Sequence, residues 1–316
     1  MRGAAARLLV CAVAVAGCRA TAEAPADLSA GDLATGGGDD LAGADLAMAD
    51  MACPVGPEVC GNGCDDDRNG YTDADDPACT SQMLVTLSMG SPALWRLILE
   101  PQPHVVVLDG NPVTNGAMAT YNAAFAPAAF LAYEGGTRIL ERRPIPGSAT
   151  TISTSFGLRD VCVFNSELIV VEQRSATLGG SRLHRFMPDG KTEIMPPVSV
   201  ADLATACSTD GTKLYVAAHT PTSASQIDVF DKGANGPVAS GVTIAMPDSL
   251  LNAGYDRIVD LVYLRKSGTF VGLFAMSGGL PDSSLNGDVM TPFAFDGGVG
   301  AFIDGGVWHG VGEFMP

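Results

Sequence analysis

The chain has 316 residues, enough for one large domain or two, and carries 35 acidic against 18 basic side chains for a net charge of −17. A nucleic-acid ligand needs a basic footprint and an anionic bilayer would repel this surface, so the charge excludes nucleic acid as a partner and excludes electrostatic membrane binding. Eight cysteines suit an exported chain better than one in a reducing cytosol.

In chain order, residues 1–17 place Arg2 and Arg7 ahead of the apolar run LLVCAVAVAG, which is too short to span a bilayer and has the form of a secretory signal. Its end, Val15-Ala16-Gly17-Cys18, resembles the lipobox of bacterial lipoproteins. The resemblance implies that Cys18 receives lipid and becomes the first mature residue, that Cys11 leaves with the signal, and that the membrane is reached through this anchor. By the sorting rule of such lipoproteins, Arg19 after the anchor implies the outer membrane of the cell envelope, on its periplasmic or surface face. Residues 18–52 then repeat Asp-Leu-Ala-like triplets beginning at Asp27, Asp32, Asp40, Asp45 and Asp50. Apolar residues spaced mostly by five match neither the helical nor the strand period, so this segment reads as an acidic low-complexity tether. Residues 19–81 hold 14 acidic and 2 basic side chains, and like charges keep such a segment extended.

From Cys53 to Cys79 the spacing itself states a chemistry. Counted from Asp65, oxygen-bearing side chains fall at positions 1 (Asp65), 3 (Asp67), 5 (Asn69), 9 (Asp73) and 12 (Asp76), with Gly70 at position 6 and the Tyr71 carbonyl at position 7. That is the pattern of an EF-hand-type calcium loop, in which alternate oxygens turn onto one hard cation and glycine permits the sharp bend. Asp66, at position 2, is expected to point outward. Asp76 stands where an EF-hand has the longer Glu, Thr72 stands where an apolar residue is usual, and no amphipathic helix flanks the loop. Cys53, Cys60, Cys64 and Cys79 stand there instead and suggest disulfide clamps, with three connectivities open. The segment resembles the Cys-bracketed Asp/Asn-Gly repeats of myxobacterial surface proteins and, more loosely, thrombospondin type 3 and dockerin loops. The resemblance implies a structural Ca2+ module.

Beyond Gln82 short apolar runs are broken by eight Asn-Gly or Asp-Gly pairs, among them 189–190, 210–211 and 235–236, the strongest short-range hairpin signal. The body, residues 82–316, is therefore expected to be all-β. LRDVCVFNSELIVV from Leu158 aligns with LATACSTDGTKLYVA from Leu203, placing Cys162 on Cys207 at an offset of 45 residues, and the stretch from Asp260 repeats the shape more weakly. Four strands per repeat of this length predict a β-propeller of about five or six blades, with a sandwich or barrel as the alternative. Ser208–Ala217, STDGTKLYVA, resembles the hairpin of YVTN and lactonase-type propellers.

Catalytic signals are sparse. His104, His184, His219 and His309 lack metal-ligand spacing and read as ordinary strand-end or loop residues, and no nucleophile elbow is present. Asp160, Asn165, Thr205 and Asp260 would line a propeller channel in a calcium-dependent lactonase or esterase, the enzymatic alternative; as strand-end polar residues they serve the fold. Sheets stacked face to face lie about 10 Å apart, beyond disulfide reach, so Cys162 and Cys207 are expected as buried thiols, with a disulfide between neighbouring blades as the alternative. The expectation is a lipid-anchored propeller presenting a surface to an unknown protein or glycan.

Overall fold

Period-two alternation broken by turn residues produces nineteen strands and one five-residue helix, α1 (Asp248–Asn252), among the described residues of the computed structural model. Those residues are 53–68, 76, 78–87, 94–99, 104–109, 117–122, 126–133, 138–144, 148–173, 180–220, 222–276, 289–293 and 308–315. Signal and tether, with Cys18, lie outside them, as do Asn69, Tyr71 and Asp73. Cys53–Pro316 forms one compact unit.

Among the described residues the strands group into five antiparallel blades, the first two joined edge to edge in one eight-stranded sheet. In the first, β1 (Gln82–Leu87), β2 (Leu94–Ile98) and β3 (His104–Asp109) are joined by the last strand, β19 (Trp308–Met315), which pairs with β1 from Met83↔Glu313 to Leu87↔Trp308. The second is β4 (Ala117–Asn122), β5 (Ala126–Tyr133), β6 (Ile139–Pro144) and β7 (Thr150–Ser153). The third is β8 (Gly157–Phe164), β9 (Glu167–Gln173), β10 (Ser181–Phe186) and β11 (Glu193–Val200). The fourth is β12 (Leu203–Thr209), β13 (Lys213–His219), β14 (Gln226–Gly233) and β15 (Gly236–Ala245). The fifth has β16 (Arg257–Leu264), β17 (Thr269–Ala275) and β18 (Val289–Phe293) among the described residues. The inner strands β19, β4, β8, β12 and β16 neighbour one another in a closed circuit, with β19 also pairing in parallel with β4 at Phe314↔Tyr121. A chain whose last strand completes the blade begun by its first is a closed β-propeller, and its ring has no free end.

The core is laminated between blades. On β13, Leu214, Val216 and Ala218 pack towards blade three, while Tyr215 and Ala217 pack towards blade five. On β8, Val161 and Val163 join the cluster shared with blade two, and Cys162 and Phe164 the one shared with blade four. In blades three, four and five both faces of the inner hairpin are buried, which is why these strands read as nearly continuous apolar runs. Turns fall where the sequence puts them: Asp189-Gly190 joins β10 to β11, Asp210-Gly211 joins β12 to β13, and Asn235-Gly236 joins β14 to β15. Ala93–Glu100, the nearest approach to helical periodicity, contains β2.

One expectation is corrected. Cys162 and Cys207 form a disulfide, with Cα atoms 5.9 Å apart. The 10 Å spacing holds for sheets stacked face to face, but blades converge towards the axis, and both cysteines lie on inner strands, each two residues before its strand's end. There the neighbouring backbones come within disulfide reach.

Candidate functional site

Two groups of acidic residues stand out, one in the Cys-rich segment and one on the inner strands. In the first, Cys53 pairs with Cys64 and Cys60 with Cys79. The second bridge starts inside the loop closed by the first, so the segment is folded on itself with almost no apolar core. Asn62 turns the chain between the cysteines: its Oδ1 accepts the Cys64 N–H (2.8 Å) and its Nδ2 donates to Asp66 Oδ2 (2.7 Å).

This folding brings Asp65 and Asp67 together with Glu58, their carboxylate oxygens within 4.8 Å of one another. Asp76 is not part of that triad. It is buried, its Oδ1 accepts the Ala78 N–H (2.6 Å), and its carbonyl accepts from the N–H groups of Cys79 and Thr80, so it caps the turn leading into β1. Asp66 is the reverse of what position 2 of a loop suggests. It is 1% exposed, and its Oδ2 accepts the Val59 N–H and the Asn62 amide, while its own N–H donates to Glu58 Oε2. The disulfides fold residues 53–64 back over Asp66, so the side chain that faces solvent in an open loop faces protein here. Its second oxygen, Oδ1, is buried with no hydrogen-bond partner among the described residues. Glu58 was missed by sequence reasoning because it lies seven residues before the counted loop; the available signal was its position between Cys53 and Cys60.

The second group stands on three successive inner strands. Asp160 on β8, Thr205 on β12 and Asp260 on β16 each lie four residues before the strand's end, the same register. Asp160 Oδ2 accepts the Cys207 N–H (2.6 Å) and Oδ1 its neighbour Val161's (2.7 Å). Asp260 Oδ1 accepts the Leu261 N–H (2.8 Å), and the Thr205 hydroxyl donates to the Ile258 carbonyl (2.8 Å). Burial first, and then the Asp260 carboxylate, push Asp160 well above the usual carboxylate range, against the pull of the two N–H donors and Arg159. Asp160 is 2% exposed and Asp260 0%; Asp160 ties β8 to β12 and Thr205 ties β12 to β16, while the Asp260 bond to Leu261 lies within β16. Asn165 is not with them; it sits in the β8–β9 turn at φ 54°.

Serines repeat the stitching further out. Ser181, opening β10, accepts the Ala204 N–H, and Ser225, just before β14, accepts the Ile258 N–H, each from the next inner strand. Arg185 reaches from blade three to the Asn235 carbonyl while paired with both oxygens of Glu167. Asp210 caps the Thr212 and Lys213 N–H groups and accepts the Tyr215 hydroxyl (2.7 Å). Burial, and after it the bond to Asp210, raise the Tyr215 phenol, and that bond holds the Ser208–Ala217 hairpin in shape. Of the histidines, His219 Nδ1 meets the Thr220 carbonyl, and His184 is buried between two glutamates; the side chains of His104 and His309 lie outside the described set.

No protein-family model and no curated protein matches the chain. Among solved structures it is similar to a putative 6-phosphogluconolactonase from Bacteroides uniformis, at 14% identity over 71% of this chain and 67% of that one, TM-score 0.40. It is also similar to TolB from Acinetobacter baumannii, at 12% identity over 74% and 55%, TM-score 0.42. A third is an alpha-L-arabinofuranosidase from Clostridium thermocellum, at 12% identity over 70% and 86%, TM-score 0.43. Likeness at this depth carries no function, and the propeller stands on its own strand pairing.

Proposed function

We propose that this is a lipid-anchored protein of the cell envelope whose propeller presents a binding surface to a protein or glycan, with a calcium-stabilised, disulfide-clamped module joining body to tether. The observation that carries the reading is the cysteine pairing: the six cysteines after Cys18 form three disulfides, which persist in an oxidising compartment. Among the described residues no helix is long and apolar enough to cross a membrane, and Cys18 at the end of the signal supplies the attachment. Asp65, Asp67 and Glu58 offer a hard cation clustered oxygens, to which Asn69, the Tyr71 carbonyl and Asp73 are added from the loop, with Asp76 closing its end. When bound, the ion neutralises this charge and rigidifies a segment with little core of its own.

The enzymatic alternative requires acidic groups open at a channel mouth. Burial of Asp160 and Asp260 against backbone N–H groups favours the binding reading. The test of anchoring is Cys18→Ser, expected to move the protein from membrane to soluble fractions; membrane retention of that variant overturns it. The test of the ion is calorimetry on the oxidised full chain, with an expected Kd of about 10⁻⁴ to 10⁻³ M for calcium and weak competition by magnesium. Asp65→Ala is expected to weaken binding sharply. Unchanged heat on calcium addition, or equal losses at any acidic residue of the tether, would remove the calcium site.

A further inference from the structure

We propose that His184 is a proton-operated latch that holds the outer strand β11 and the crossover between blades two and three onto blade three. The residue stands on β10 with both ring nitrogens engaged. Nδ1 lies 2.5 Å from Glu193 Oε1 on β11, and Nε2 lies 3.5 Å from Glu172 Oε2 on β9. Phe156, in the chain between β7 and β8, covers one face of the ring in parallel, with centroids 3.5 Å apart and planes 13° from parallel. The ring is buried, and the Glu172 and Glu193 side chains keep 14% and 29% of their exposure. These two carboxylates contact the ring nitrogens, one from each strand flanking β10.

The geometry dictates the proton count. A neutral imidazole has one N–H and one lone pair, so whichever nitrogen lacks the proton would set its lone pair against a carboxylate oxygen in a poorly solvated site. The imidazolium donates to both and offsets one of the two negative charges, and both contacts become charge-assisted. The latch therefore exists as Glu172, imidazolium and Glu193 in line across three strands, with Phe156 stacked on the cation. When the ring gives its proton to solvent, two carboxylates face one neutral ring. Glu193, the more exposed, is the one free to swing out. Among the described residues β11 is an edge strand, paired with β10 alone, so loss of that contact loosens it first, and Phe156 loses the charge it covers.

Three measurements on the full chain decide this. Long-range nitrogen–proton correlation with labelled histidine should show one ring with both nitrogens protonated, assigned by its loss in His184→Gln or, where that variant does not fold, by its shift in Glu193→Gln. Amide exchange across residues 193–200 should accelerate over the pH interval in which that ring loses its proton. The wild type should melt above Glu193→Gln by about 2–4 °C at acidic pH, and the margin should close as pH rises. A singly protonated ring alongside a protected β11, or a melting margin constant from pH 5 to 9, overturns the latch.

Discussion

Asp160 shows how a single residue is given its job by the strand next to it. Its two oxygens accept backbone N–H groups from its own and the neighbouring inner strand, yet burial and Asp260 hold its proton above the ordinary range. A raised carboxyl keeps its proton in the folded chain over an interval where the unfolded chain has lost it. Stability on its account is therefore complete below the ordinary value of 3.8 and falls as pH rises through the folded value. Asp160→Asn removes that titration but sets an amide nitrogen against an N–H donor, at a cost of about 1–3 kcal/mol. In urea unfolding from pH 4 to 8 the variant should be less stable than the wild type, with a deficit that shrinks as pH rises; a deficit that grows with pH would contradict the assignment. Gly236 makes a second residue-scale case: it holds φ +118°, and a Cβ there would come within 2.7 Å of the Arg185 guanidinium. Gly236→Ala should lower the melting temperature by loosening the Arg185 bond to the Asn235 carbonyl, whereas alanine at Gly56, with open space around it, should leave it unchanged.

At the scale of elements, the disulfide between β8 and β12 cross-links strands 45 residues apart in sequence. Closing a loop of that length removes unfolded-state freedom equivalent to about 4 kcal/mol in the chain-entropy account. The double variant Cys162→Ala/Cys207→Ala should unfold at correspondingly lower denaturant, with the propeller spectrum retained because both sites are buried among apolar neighbours. The two bridges of the Cys-rich segment hold a piece with little core, so breaking them should unfold that segment and leave the melting of the body nearly unaltered. Asp66→Ala should behave like a bridge mutation, because Asp66 caps Val59 and Asn62 from inside. Glu58→Gln keeps the acceptor of the Asp66 N–H and should reduce calcium binding alone. Proteolysis followed by mass mapping of residues 53–80 separates the two outcomes.

For the whole molecule, closure is the property that no single blade supplies. β19 completes the blade begun by β1 and also touches the inner strands on either side of it. Deleting residues 308–316 exposes the ladder edge of β1 and opens the ring, so the loss should be far greater than nine residues imply. Circular dichroism of the intact chain should show strand with almost no helix, and the truncated chain should lose cooperative melting. A cooperative transition at the original temperature after truncation would mean that the ring is held elsewhere.

The sequence alone determined the local structure, because strand period, turn chemistry and cysteine usage act over a few residues. The hairpins at Asp189, Asp210 and Asn235, the blade-length repeat from Leu158 to Leu203, and the all-β body follow from such short-range rules. The use of cysteines as disulfide clamps in the segment from Cys53 to Cys79 was legible for the same reason. Tertiary structure decided what depends on distance between segments far apart in the chain. The convergence of inner strands brings Cys162 to Cys207, the disulfide fold-back turns Asp66 inward and adds Glu58 to Asp65 and Asp67, and strands β9, β10 and β11 set His184 between Glu172 and Glu193. Spacing along a chain encodes direction and period, but the approach of two side chains across a blade or an axis is set only when the ring closes.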